Sequence, residues 1–189
     1  KIGKADSILI SYQDHHVLID TGEDEDVDEI LTYLHKHQIA KLQALIITHF
    51  DKDHVGGADK IVERIDIDNI YTANYISDSK QTMQFNNVML AKGLEPIKLT
   101  DTTDVVLHDQ TITLYPAEKS MYNRDNNYSI VATVDYKNIS MLFTGDAEQE
   151  RLEEILLNEH LARVYDFVKM PHHGRYNELT PSFVELISP

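Results

Sequence analysis

Metal-binding side chains are concentrated in one short segment of the sequence, "THFDKDHVGG", at residues 48–57. It holds two histidines and two aspartates within six positions, namely His49, Asp51, Asp53 and His54. Imidazole nitrogens and carboxylate oxygens are common protein ligands of zinc and of other divalent transition metals. A turn this short can direct the first histidine and aspartate to one side and the second pair to the other. The spacing therefore predicts one loop that supplies ligands to two adjacent metal ions.

The same segment also permits a structural interpretation, in which Asp53 caps a helix and the histidines are incidental. Gly56 and Gly57 fit both interpretations, since glycine allows close backbone approach and unusual dihedral angles where the loop bends into the helix. The segment lies between a buried-strand pattern, "ALIIT", and a helical pattern, "GGADKIVERI". Loops at strand ends are where rigid scaffolds present functional groups, which favours the metal-binding interpretation.

Three other predicted strand ends carry an aspartate or a histidine beside a glycine. Asp20 lies at the end of the strand in "VLIDTG", Asp146 lies at the end of the strand in "MLFTGD", and His172 and His173 follow the strand in "FVKMPHHG". Any one of these residues is explained equally well by a turn, but a repetition at four strand ends is hard to attribute to turns alone. Carboxylates and imidazoles that converge from several strand ends predict a dinuclear metal site.

Together these motifs resemble those of the metallo-β-lactamase-fold hydrolase superfamily. "HFDKDH" resembles its HxHxDH motif, "DTG" its first aspartate motif, and "TGD" the aspartate that bridges two metal ions. The segments "KADSILI", "NNYSIVATV", "LFTGDAE" and "MPHHG" are similar to the hydrolase domain of the ComEC-like branch. The resemblance implies an α/β (α+β) fold, an αββα sandwich with the site at one edge. It also implies a single domain over residues 1–189 that is incomplete at its C-terminus.

The pattern of strands and helices predicts mixed or antiparallel sheets with helices outside them. The segments "SILIS" and "HVLID" flank a turn and predict a hairpin. In "EDEDVDEILTYLHKH", the acidic run is expected to fill the first turn of a helix. Further strands are predicted in "IYTA", "TITLYP", "SIVATVDY", "SMLFTG" and "VYDFVKM", and further helices in "KQTMQFNNVMLAKG", "EQERLEEILLNEH" and "PSFVELI".

Composition limits the kinds of site and partner that the chain can have. There are no cysteines, so any metal must be held by nitrogen and oxygen. The net charge of −15 argues against an extended nucleic-acid groove, because phosphate binding rests on clustered Lys and Arg. No apolar run approaches the roughly 20 residues of a membrane span, so no direct membrane insertion is expected. The compartment stays open between the cytoplasm and export to the bacterial cell surface.

Six side chains are predicted as ligands of two divalent ions, Zn²⁺ or Mn²⁺. In the HxHxDH motif, Asp51 replaces the second histidine, and a carboxylate is a harder ligand that favours Mn²⁺. Asp20 is predicted to fix a ligand histidine by hydrogen bonding, and Asn127 either to contact metal or substrate or to serve a turn. The predicted ligands of one ion are His49 and Asp51. Those of the other are Asp53, His54 and His172, which is preferred to His173. Asp146 is predicted to bridge the two ions.

The predicted activity is metal-dependent hydrolysis of a phosphodiester. Two ions about 4 Å apart lower the pKa of a shared water and hold the phosphoryl oxygens during in-line attack. Asp53 is expected to orient this water, and His173 to protonate the leaving oxygen or to bind substrate. The ComEC-like resemblance implies a nuclease that acts on DNA. The acidic composition favours a smaller phosphoester, such as a phosphorylcholine or nucleotide ester, or DNA reached through a basic partner or an additional domain.

Two alternatives belong to other functional classes. The first is a non-catalytic domain that binds metal for stability or docks onto a partner, which fits the absence of a histidine in "NRDNNYS". The second is a calcium-binding scaffold, which is disfavoured because histidine is a poor calcium ligand. A domain without catalysis has little reason to keep Asp51, Asp53, His54 and Asp146 together, so the hydrolase is the preferred hypothesis.

Overall fold

The computed structural model describes residues 2–108 and 110–187, and the chain divides into two compact units, Lys1–Leu99 and Thr100–Pro189. The described part of unit 1, from residue 2 on, contains five strands and four helices. Its strands are β1 (Ile8–Tyr12), β2 (His15–Ile19), β3 (Lys41–Ile47), β4 (Asp66–Ala73) and β5 (Ile97–Leu99). Its helices are α1 (Val27–Lys36), α2 (Lys52–Val55), α3 (Ala58–Arg64) and α4 (Lys80–Lys92).

The sheet of unit 1 has the order β1-β2-β3-β4-β5. The predicted hairpin is confirmed, because β1 and β2 pair in antiparallel fashion. The pairs β2–β3, β3–β4 and β4–β5 are parallel, and helices connect each of them. Since neighbouring parallel strands end at the same sheet edge, Asp20 after β2 and Thr48 after β3 are brought side by side.

The apolar residues of unit 1 explain where its helices lie. In α1, Val27, Ile30 and Leu34 are buried and recur at helical spacing, so one face of the helix packs on the core. The acidic run at residues 23–26 precedes α1, which begins at Val27, so the predicted start of this helix was too early. Asp28 and Glu29 nevertheless place negative charge in the first turn, where the helix dipole favours it.

Unit 2 contains five strands and two α-helices in its described residues. The strands β6 to β9 pair in antiparallel fashion, and β10 pairs with β9 in parallel after the crossover through α5. The predicted mixed sheets with helices are therefore confirmed. None of the helices within residues 2–108 and 110–187 is long and apolar enough to cross a membrane. The elements are β6 (Thr103–Leu107), β7 (Gln110–Tyr115), β8 (Val131–Tyr136), β9 (Ile139–Phe143), α5 (Gln149–Leu157), β10 (Phe167–Lys169) and α6 (Thr180–Ile187).

The glycine pair after α2 is explained by close packing. A Cβ atom on Gly57 would lie 2.6 Å from the Thr21 carbonyl oxygen and 2.4 Å from Val27 Cγ2. A Cβ atom on Gly56 would lie 2.7 Å from the backbone nitrogen of Asp24. The predicted close approach is thus confirmed. The expectation of unusual dihedral angles was wrong, because φ is −54° at Gly56 and −88° at Gly57.

We expect Gly57→Ala to lower the free energy of unfolding by about 1–3 kcal/mol, because the added methyl group forces backbone apart in a well-packed region. Urea unfolding followed by circular dichroism measures this loss. Gly93→Asn is the control, since Gly93 has open space around its Cβ position and a φ of 66° that asparagine tolerates. Equal stability of Gly57→Ala and the parent would contradict the packing explanation.

Candidate metal-binding site

In unit 1, the segment after β3 holds two histidine rings in contact. His49 and His54 are both fully buried, and their ring centroids lie 4.1 Å apart at an interplanar angle of 49°. His49 follows the end of β3, whereas His54 lies in α2. Burying an imidazole ring costs free energy unless its nitrogens have hydrogen-bond or metal partners. The groups that contact these nitrogens therefore determine which of them can bind a metal ion.

The carboxylate of Asp20 forms hydrogen bonds with Thr48, which precedes His49, and with the ring of His54. Its Oδ1 accepts the backbone N–H of Thr48 at 2.8 Å, and its Oδ2 accepts the Thr48 hydroxyl at 2.7 Å. The same Oδ2 lies 2.8 Å from Nδ1 of His54. Asp20 itself has a left-handed backbone with a φ of 58°, which turns the chain sharply after β2. The contact with His54 is the one that the predicted role of Asp20 requires.

When both rings are neutral, these hydrogen bonds set their tautomers. A carboxylate only accepts, so His54 donates from Nδ1 to Asp20 and keeps its lone pair on Nε2. The Thr48 hydroxyl donates to Asp20 and therefore accepts from Nδ1 of His49, which lies 3.1 Å away. His49 then also carries its lone pair on Nε2. Neutral imidazoles held in this way are suited to bind a metal ion.

Carboxylates lie near both rings. Asp51 precedes α2, and its Oδ2 lies 3.9 Å from Nε2 of His49. Asp53 follows it within α2 and is partly buried. The sequence prediction missed Asp6, whose Oδ2 lies 3.9 Å from Nδ1 of His54. Because Asp6 precedes β1 and does not follow a strand end, the rule that found the other residues could not find it.

In unit 2, Asp146 follows β9 and is almost fully buried. Its Oδ1 lies 3.0 Å from the ammonium nitrogen of Lys169, and its Oδ2 lies 3.0 Å from Nε2 of His173. Its backbone N–H donates to the hydroxyl of Ser129 at 3.1 Å. Lys169 also donates to the carbonyl of Gly145 at 2.7 Å. Lys169, which sequence reasoning missed, thus fixes both the side chain and the backbone at this point.

The histidine pair after β10 has a strained backbone. The φ angles are 45° at His172 and 55° at His173, and Gly174 follows with a φ of 79°. A left-handed residue other than glycine costs roughly 1 kcal/mol, and such strain tends to gather at functional sites. Nδ1 of His172 lies 3.2 Å from Oε1 of Glu148, while its Nε2 lies 3.9 Å from Asp146. Of the two rings, His173 is therefore the one beside Asp146.

Asn127 is placed at the beginning of α5. Its carboxamide oxygen accepts the backbone N–H of Arg151 at 3.1 Å, and its nitrogen donates to Glu150 at 3.4 Å. An acceptor at this position satisfies a backbone donor that the first turn of a helix leaves open. Among the described residues, these contacts give Asn127 a structural role at the start of α5.

A buried ionic network supports the segment that carries Asp146. Arg151 pairs with Glu154 at 2.7 Å and donates from Nε to the carbonyl of Ser129 at 3.1 Å. Glu154 also accepts the hydroxyl of Tyr122 at 2.5 Å. Burial, followed by this hydrogen bond, raises the pKa of Tyr122, so the phenol stays protonated. Since Ser129 accepts from Asp146, the network is linked to the Asp146 backbone.

Comparison with known proteins gives a family model that matches almost the whole chain. The sequence model of the Metallo-beta-lactamase superfamily matches residues 2–189. ComE operon protein 3 of Bacillus subtilis is 26% identical over an alignment that covers 100% of this chain and 26% of that protein. Recombination protein 2 of Haemophilus influenzae is 27% identical, with 100% of this chain and 22% of that protein covered. The chain thus spans about a quarter of the length of these relatives.

Solved structures agree with this match at the level of the fold. The metallo-beta-lactamase fold protein YhfI from Bacillus subtilis superposes with a TM-score of 0.60 at 14% identity, covering 93% of this chain and 70% of YhfI. A metallo-beta-lactamase from Pontibacter korlensis gives a TM-score of 0.50 at 17% identity, covering 73% of this chain and 58% of that protein. The fold expected from the motifs and the resemblance that they carry are confirmed.

Proposed function

Since the chain belongs to the metallo-beta-lactamase superfamily, we propose that it is a metal-dependent hydrolase that cleaves phosphodiesters. One observation carries most weight. Asp20 and Thr48 hold His54 and His49 by Nδ1, which leaves Nε2 of each buried ring as a metal donor. A purely structural pair of histidines has no need for this shared orientation. The similarity to ComE operon protein 3 supports placement in the ComEC-like branch.

The proposed cofactor is a pair of divalent ions, Zn²⁺ or Mn²⁺. The donor set contains only nitrogen and oxygen and is rich in carboxylates, which suits both metals. We assign His173 rather than His172 as the ligand from the histidine pair, because His173 is beside Asp146. The proposed ligands are His49, Asp51, Asp53, His54, Asp146 and His173.

When bound, the ions would lower the pKa of a water molecule and stabilise the charge that develops on the phosphoryl oxygens. Within the chain, Asp53 is proposed to orient the attacking water. His172 takes the role of proton donor to the leaving oxygen in its protonated form, in which Nδ1 donates to Glu148 and Nε2 carries the proton that is transferred. The strained backbone at His172 and His173 fits such a catalytic task.

Hydrolysis of bis-p-nitrophenyl phosphate tests the proposed activity. The purified chain is stripped with a chelator and then assayed with added Mn²⁺, Zn²⁺ or Ca²⁺. We expect turnover to require Mn²⁺ or Zn²⁺ and to be lost on chelation. A chain that binds either metal tightly but hydrolyses no phosphodiester would instead support the non-catalytic, partner-docking domain.

We expect Asp20→Asn to weaken metal binding by about 10–100-fold, the usual effect of removing a group that orients a ligand histidine. The amide presents a donor where His54 needs an acceptor, so the ring loses its fixed tautomer. Titration calorimetry with Zn²⁺ measures the change. Asp28→Asn removes the same charge from a side chain that is 93% exposed and serves as the control. Equal affinities of the two variants would remove Asp20 from the metal-binding machinery.

A further inference from the structure

Unit 2 contains a cleft beside the first turn of α5, with a volume of about 440 Å³. We call it the α5 cleft. Its wall includes Asn123, Glu148, His172, Arg175 and Tyr176. Its volume lies within the usual range of small-molecule sites. Because His172 forms part of the wall and lies 3.9 Å from Asp146, the cleft opens beside the ligands of unit 2.

The acidic side chains of the α5 cleft are already engaged by the protein. Glu148 lies 3.1 Å from Arg124 and accepts from Asn126 at 3.1 Å. An oxygen of Glu150 lies 3.7 Å from the ammonium nitrogen of Lys119. Each carboxylate therefore lies beside a cationic side chain of the protein, which compensates its negative charge towards a ligand.

Three side chains in the wall remain available to a ligand. Within residues 2–108 and 110–187, the side chains of Asn123, Arg175 and Tyr176 have no hydrogen bond, ion pair or ring contact. Tyr176 is 75% exposed, so one face of its ring is open. A guanidinium, an open aromatic face and a carboxamide together match the phosphate, the base and the base edge of a nucleotide.

We propose that the α5 cleft binds an unpaired nucleotide of the substrate next to the scissile phosphodiester. The base stacks on Tyr176, its edge bonds to Asn123, and the adjacent phosphate pairs with Arg175. This inference rests on the proposed function and names its substrate class. A phosphorylcholine group fits less well, because quaternary ammonium is recognised by several aromatic faces and is repelled by a guanidinium.

Binding of a thymidine tetranucleotide with a phosphorothioate backbone tests this proposal, since that backbone resists hydrolysis in the metal-loaded protein. At low salt, we expect Tyr176→Ala to raise the Kd about tenfold and Tyr176→Phe to stay within about twofold of the parent. Arg175→Gln is expected to weaken binding and to reduce its salt dependence. Tyr33→Ala removes an exposed tyrosine of unit 1 and is the control.

Two results overturn the proposal: equal tetranucleotide affinity of Tyr176→Ala and the parent, or binding of phosphorylcholine in place of the tetranucleotide. The parallel assay with bis-p-nitrophenyl phosphate tests the proposed hydrolase activity separately from the nucleotide subsite. Hydrolysis by the parent together with an unchanged Kd in Tyr176→Ala removes the nucleotide subsite alone. A Tyr176-dependent Kd in a chain that hydrolyses no phosphodiester removes the proposed catalytic function and leaves the subsite.

Discussion

Asp146→Asn is expected to lower phosphodiester hydrolysis by at least about 100-fold, equivalent to roughly 3 kcal/mol of lost transition-state stabilisation. Asp146 is almost fully buried, and its two carboxylate oxygens face Lys169 and His173. Asparagine keeps the shape of the side chain but loses its charge. Its NH₂ group must then face either the ammonium of Lys169 or Nε2 of His173. A proposed metal ligand is removed while the backbone hydrogen bond to Ser129 is kept.

The measurement is kcat/KM for bis-p-nitrophenyl phosphate with saturating Mn²⁺ or Zn²⁺. Thermal unfolding of the same sample shows whether the variant is folded. Asp125→Asn removes the same charge from an exposed position of unit 2 and should retain the parent rate. A folded Asp146→Asn variant that turns over within about threefold of the parent would exclude Asp146 from the catalytic centre.

Arg151→Ala is expected to lower the free energy of unfolding by about 3–5 kcal/mol, since it leaves a buried charge without its partner. Arg151 and Glu154 are both buried and lie 2.7 Å apart. The guanidinium also donates to the carbonyls of Ser129 and Tyr115 at 3.1 Å and 2.7 Å. A loss of this size is a large part of the total stability of an ordinary domain, which is about 5–15 kcal/mol.

Urea unfolding of three variants separates the buried charge from lost packing. The double variant Arg151→Met/Glu154→Met removes both charges, and we expect it to recover a large part of the stability lost in Arg151→Ala. Arg64→Ala breaks an exposed pair with Asp28 and should cost less than about 1 kcal/mol. If Arg151→Ala costs no more than Arg64→Ala, the buried network does not stabilise unit 2.

The sequence predicted which side chains meet at strand ends where strand direction alone decides their position. Parallel β2 and β3 end at one sheet edge, so Asp20 and Thr48 could be expected to meet, and their side chains are 2.7 Å apart. Short apolar runs such as "ALIIT" identified buried strands for the same reason. The sequence predicted these features because hydrophobic periodicity and strand direction are local properties.

Contacts between distant segments were harder to predict. Lys169 lies inside a strand pattern, where a lysine is usually a solvent-exposed residue, and only the folded chain brings it to Asp146. The partner of Asn127 is a backbone N–H of α5, which no side-chain motif reveals. The left-handed turn at His172 and His173 decides which of the two rings lies beside Asp146, and nothing in "MPHHG" specifies that turn.

Short exposed elements were also missed. The strand β5 is three residues long, and two of them are exposed, so its pattern has almost no apolar signal. The strand β6 alternates buried and exposed residues over "TDVVL", but its exposed Val106 disguises the alternation. Such strands are defined by their neighbours in the sheet rather than by their own composition.

The most direct test of the account is the number of metal ions that each chain binds. Equilibrium dialysis of the purified chain against Zn²⁺ or Mn²⁺, followed by elemental analysis, should give two tightly bound ions per chain. Asp146→Asn and His54→Ala, which change donors in different units, should each reduce that number. A parent chain that binds one ion or none, or variants that bind as many ions as the parent, would contradict the proposed dinuclear centre.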